Sequence, residues 1–131
     1  MNRANGTFDV TLKPQEFWDK DAGLARLSID KQFHGDLEGT SKGEMLAAGT
    51  AVTGSAGYVA MERVTATLMG KAGTFVLQHT GTADRGANRL SVTVVPDSGT
   101  ADLAGLAGAM NIIITDGKHL YEFDYTIGGQ P

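Results

Sequence analysis

The sequence predicts an all-β fold, an eight-stranded antiparallel up-and-down barrel with little helix. Three observations point there. Apolar and polar residues alternate in run after run, separated by short turns. Glycine is abundant, 18 residues against 3 prolines, and spread along the chain, as tight turns and bent strands require. Sequential antiparallel strands of this number close into a barrel or pack as two sheets. A length of 131 residues suits a single domain over 1–131, and no repeat or linker suggests a second.

Taken in order, Thr7 to Lys13 alternates, with Phe8, Val10 and Leu12 on one side. The stretch from Pro14, which includes Phe17 and Trp18, reads as a connection or one helical turn. There Trp18 would plug one end of the core. Arg26 to His34 is a second strand with Leu27, Ile29 and Phe33 on one face. After His34-Gly35-Asp36 a third strand follows, and Gly39 and Gly43 within it mark the bulges or bends that closure needs. The small-residue segment after it reads as a loop.

Gly57 to Gly81 reads as two strands joined at Gly70-Lys71-Ala72-Gly73, which would set Leu68 against Phe75, Ala66 against Leu77 and Val64 against His79. Arg89 to Val95 is a sixth strand, with Leu90, Val92 and Val94 inward, ended by Pro96. The glycines in SGTADLAGLAGAM each cost a helix about 1 kcal/mol relative to alanine, so a compact turn competes with a short helix there. The last hairpin is the clearest local signal: Asp116-Gly117 between two alternating runs is a type I′ cue. It pairs Ile114 with His119, Ile112 with Tyr121 and Met110 with Phe123.

One face of the central hairpin holds Tyr58, Ala60, Glu62, Val64, Ala66 and Leu68 beside Phe75, Leu77 and His79. An apolar face with one carboxylate, one imidazole and one phenol is where chemistry or binding would occur if it lines an interior. The expected catalytic pair is Glu62 and His79. A carboxylate accepting from an imidazole sets its tautomer and can make it a general base. The alternative is an internal ion pair that fixes register. Tyr58, Phe75, Leu77, His119 and Tyr121 are the expected ligand-binding residues, walls of an aromatic cavity with a few polar handles. They could equally cap the core. The opposite face, with Arg63, Thr65, Gln78, Thr80, Val59 and Met61, competes for the interior or packs on another subunit.

Composition narrows the function classes. A net charge of −4 gives no basic field for nucleic acid or a membrane surface. Without cysteine there is no thiolate nucleophile, disulfide or cysteine zinc site. His34, His79 and His119 have no metal-ligand spacing, and no phosphate loop or nucleophile elbow occurs. No metal or cofactor is therefore expected. No apolar run approaches a membrane helix or a leader's apolar core, so a cytoplasmic protein is expected.

The segments HGDLEGTSKGE, GYVAMERVTATLMGKAGTFVLQHTGT, VVPDSGTADLAGLAG and HLYEFDYTI, in that order, resemble a bacterial family of unknown function whose members look like allene oxide cyclase-like barrels. The resemblance spans Phe33 to Ile127. It implies an eight-stranded antiparallel barrel, an interior cavity and homo-oligomers as a common state. It implies no activity. Three readings of function follow: a barrel holding a small apolar or aromatic molecule, a cyclase- or isomerase-like enzyme using Glu62 and His79, and an oligomeric scaffold without a ligand.

Overall fold

In a computed structural model of the chain, residues 1–19 and 21–128 are described, with residues 16–18 known by backbone only. Eight strands follow one another: β1 (Asn2–Asp19), β2 (Leu24–Gly35), β3 (Leu37–Gly49), β4 (Ala56–Leu68), β5 (Lys71–Asp84), β6 (Ala87–Val94), β7 (Leu106–Thr115) and β8 (Lys118–Ile127). They pair antiparallel in sequence order, and β1 pairs with β8 to close the barrel. The only helical element among the described residues is one 3₁₀ turn, Ala101–Leu103, on the β6–β7 connection.

Two local expectations change. β1 does not stop at Lys13 but runs to Asp19, so there is no helical turn after Pro14. Proline supplies no N–H, and the pairing with β2 becomes irregular just beyond Pro14, which is where a sheet tolerates it. The expected role of Trp18 as a plug falls outside the described side chains.

The β4–β5 turn is also shorter than expected. It consists of Met69 and Gly70, with φ of 48° and 85°. Positive φ at both central positions is the type I′ geometry, whose twist matches that of the strands. Val64 therefore faces Phe75, Glu62 faces Leu77 and Ala60 faces His79. The expected register was displaced by an even number of residues, and side chains repeat every two, so each side chain keeps its face. Tyr58 is half-buried, Ala60, Glu62, Val64, Ala66 and Leu68 are buried, and Val59, Met61, Arg63, Thr65 and Thr67 lie outward. The β7–β8 hairpin keeps the expected register about Asp116-Gly117.

The two ends of the barrel differ. At one end, beside the β2–β3 and β4–β5 turns, Leu37, Leu68, Phe75, Leu77 and Phe123 are completely buried. The 3₁₀ turn lies over Gly73, where a Cβ would strike the Thr100 carbonyl oxygen, and its Leu103, packed against Gly73, closes this end. The ring of Phe123 lies 6.0 Å from Phe75 and 5.3 Å from Tyr125, both near-parallel. Tyr121 meets Phe33 edge-on, and its hydroxyl accepts from the Leu37 N–H at 2.9 Å. The same hydroxyl lies 3.0 Å from the carbonyls of both His34 and Leu37, either of which can accept its proton. This half is a packed core.

One seam is weak. β4 and β5 pair without interruption from Ala56–Ala83 to Leu68–Lys71, whereas β6 and β7 share one paired position, Thr93 with Ala109. Backbone amides facing that seam are expected to exchange with deuterium faster than those of β4 and β5. Equal protection of both strand pairs by hydrogen-exchange NMR would contradict this.

Candidate functional site: a half-barrel cavity floored by Lys31, Glu62 and His79

The other half of the barrel is not filled. A cavity of about 180 Å³ opens at the end bearing the β1–β2, β3–β4, β5–β6 and β7–β8 turns. Its apolar walls include Val10, Ile29, Met45, Ala60, Leu90 and Ile112, with Tyr58 and His119 near the mouth. Alternation aims Leu12, Leu90 and Ile114 inward, yet they are 44%, 44% and 68% exposed. Inward-facing apolar side chains left in water mark an unfinished core. At the packed end the same series is sealed.

Phe8, Lys31 and His79 line this cavity and are themselves buried. Behind them Glu62, 1% exposed, gathers three donors. Lys31 Nζ donates to Oε1 at 3.0 Å, His79 Nε2 shares that oxygen at 2.8 Å, and Ser41 Oγ donates to Oε2 at 2.7 Å. Strand order explains the convergence: Ser41 of β3 lies beside β2, which carries Lys31, and beside β4, which carries Glu62, while His79 comes from β5 on the other side. Gly43, opposite Glu62, makes the room. A Cβ there would sit 2.6 Å from Glu62 Cα and 2.8 Å from its Cβ. Gly81 does the same for the Tyr58 ring, which a Cβ would strike.

Burial alone would raise the Glu62 pKa. The hydrogen bond from His79, the charge of Lys31 and the Ser41 hydroxyl outweigh it and hold the carboxyl at about 2. Glu62 is thus an anion that only accepts, so Nε2 of His79 carries the hydrogen between them. Nδ1 has no hydrogen-bond partner among the described residues, and neither do the two remaining Lys31 N–H groups. Every fully buried side-chain nitrogen and oxygen among the described residues is paired. Nδ1 therefore opens onto the cavity that His79 lines. Lys31 Nζ lies 4.8 Å from the centre of the Phe8 ring and 5.8 Å from that of Phe33, favourable cation–π positions. Burial, and then the Glu62 charge, raise the pKa of Tyr58.

Of the residues singled out from sequence, Glu62 and His79 come together, and Tyr58 and His119 stand on the cavity wall. Phe75, Leu77 and Tyr121 do not line it; they belong to the packed half, where the rings of Phe75 on β5 and Phe123 on β8 meet across the interior. Lys31 and Ser41 were missed. Lys31 falls in the inward series of β2, between Ile29 and Phe33, and a lysine at such a position was the available signal. Among the described residues no group of three or more His, Cys, Asp or Glu is placed to hold a metal ion. No helix among them is long and apolar enough to cross a membrane.

The chain was compared with known proteins. A search of curated proteins finds no match. A family described as "Protein of unknown function (DUF3224)" matches residues 4–125. A solved structure is similar throughout: the crystal structure of a protein with unknown function from the DUF3224 family of Shewanella oneidensis MR-1. It is 48% identical, with 99% of each chain covered and a TM-score of 0.95. An eight-stranded barrel, matched over nearly its whole length in sequence and in shape, belongs to the DUF3224 family.

Proposed function

We propose that this protein is a binding module that holds one small, largely apolar molecule in the open half of its barrel. The observation that carries this reading is the apolar cavity of about 180 Å³ ending on partly unpartnered polar groups. Its size suits a single ring with a short substituent, since a dry protein cavity of ~150 Å³ accepts benzene. The buried cluster supports a role beyond packing. Replacing a buried ion pair by apolar residues often leaves a protein equally or more stable, so Lys31 and Glu62 are a poor device for stability alone.

The same floor favours a second reading, acid–base catalysis of a cyclase or isomerase type. Glu62 would orient the imidazole, Nδ1 would take a proton from the bound molecule, and the Tyr58 hydroxyl would polarise an oxygen.

The binding reading is tested on protein purified from its source host. Native mass spectrometry is expected to show a retained small molecule, lost on denaturation. Titration with single-ring compounds should shift the amide signals of Tyr58, Ala60, His79 and Ile112. Neither an adduct nor any shift at millimolar ligand would sink the proposal.

A further inference from the structure

One ring nitrogen in the cavity specifies the chemistry of its occupant, an inference that rests on the binding reading. His79 is only 4% exposed, yet Nδ1 has no hydrogen-bond partner among the described residues. Its other nitrogen, Nε2, is committed to Glu62 at 2.8 Å. The two nitrogens of an imidazole point to opposite sides of the ring. Nδ1 therefore faces away from the carboxylate and from the Lys31 ammonium bound to the same oxygen. The Lys31 charge is already met by Glu62 at 3.0 Å and by the Phe8 and Phe33 rings, 4.8 and 5.8 Å from Nζ. The guest has Nδ1 to satisfy.

Nδ1 offers a lone pair when the imidazole carries one hydrogen and an N–H when it carries two. A hydroxyl answers both, donating to the lone pair or accepting from the N–H as it turns about its C–O bond. A carbonyl or ether oxygen only accepts, and an ammonium only donates. A carboxylate only accepts as well, and it brings a charge among Val10, Ile29, Ala60 and Ile112, where an uncompensated charge is strongly disfavoured.

We propose that the pocket recognises a small neutral alcohol or phenol, one ring or a short apolar chain with a single hydroxyl, and that this hydroxyl hydrogen-bonds to His79 Nδ1. The apolar body of the guest lies against the cavity walls, and no covalent bond is made or broken. The charged and titratable groups around this nitrogen are Glu62 and Lys31 in the cluster, with Tyr58 and His119 near the mouth.

Toluene, phenol and benzoate, nearly equal in size, test this by calorimetric titration into the wild-type protein at pH 6 and pH 8. The ring nitrogen signals of His79 are followed in parallel by ¹⁵N NMR. Phenol should bind about tenfold more tightly than toluene, as one added hydrogen bond to a buried partner provides. It should also outbind benzoate, and its preference should hold at both pH values. Phenol, and not toluene, should move the Nδ1 resonance.

Toluene binding as tightly as phenol would overturn the inference and leave the binding reading standing. Benzoate binding tightest would overturn it in favour of an anion site. A phenol preference confined to one pH would show a guest that only donates or only accepts. A preference with an unmoved Nδ1 signal would place the hydroxyl on another group, and either result overturns the assignment. The Tyr58→Phe variant should keep the preference, and its loss there would transfer the hydroxyl to Tyr58. No binding by any of the three would remove the binding reading itself.

Discussion

Replacing Glu62 by glutamine is expected to lower the unfolding free energy at pH 7 by about 3–5 kcal/mol, the usual cost of removing one partner from a buried ion pair. The amide can still accept hydrogen bonds but no longer balances Lys31, whose ammonium stays buried beside Phe8 and Phe33. Against a total stability of about 5–15 kcal/mol, that is a large fraction. The effect has a pH signature. The carboxyl of Glu62 titrates at 4.5 when unperturbed and at about 2 when folded. A depressed pKa means that the unfolded chain binds the proton first. The stabilisation is complete above pH 4.5 and declines as the pH falls toward 2. The size of the shift corresponds to about 3 kcal/mol. Urea denaturation from pH 7 down to 2 measures it. The wild type should lose this increment between pH 4.5 and 2, and Glu62→Gln should lack that loss. Parallel acid profiles for the two proteins would show that other carboxylates govern acid unfolding.

Phe123→Ala is expected to cost about as much, roughly 3–5 kcal/mol, by a different route. Phe123 is fully buried, with its ring between those of Phe75 and Tyr125. Truncation removes these stacking contacts and leaves a void in the half of the barrel that Leu103 closes off. The Glu62 cluster lies in the other half, so the loss should be nearly constant from pH 7 to 5. Ligand-induced shifts at His79 and Ala60 should survive wherever the variant is folded. Chemical denaturation with parallel NMR titration checks both, and a loss confined to low pH would refute the separation of the two halves.

Much of this architecture was legible in the sequence. Alternation fixed which face of β4 and β5 points inward, and it did so despite the wrong turn, because Met69 accepts a positive φ that sequence reasoning assigns to glycine. The Asp116-Gly117 pair set the β7–β8 register correctly. The division of the interior was not legible. Alternation says that Phe75, Leu77 and Tyr121 point inward, but not at which height the barrel is filled. That depends on the β6–β7 connection, whose Leu103 folds back over Gly73. Glu62 and His79 could be read as neighbours from their shared face. Their link to Lys31 crosses two strand pairs, and a three-strand relation is not contained in any single hairpin.

The single paired position between β6 and β7 has a consequence for capacity. A barrel stitched evenly around its circumference can widen only by breaking ladder hydrogen bonds, so its cavity volume is a ceiling on guest size. Here the girth is set by a stave that is barely fastened. Leu90 of β6 and Ile112 and Ile114 of β7 stand on either side of the gap and also form the cavity wall. A guest that parts these strands breaks few hydrogen bonds and slides its own apolar surface between them. For the binding role proposed above, the 180 Å³ is then a resting volume and not a ceiling. On that proposal, molecules longer than one ring would fit with their tails in the gap.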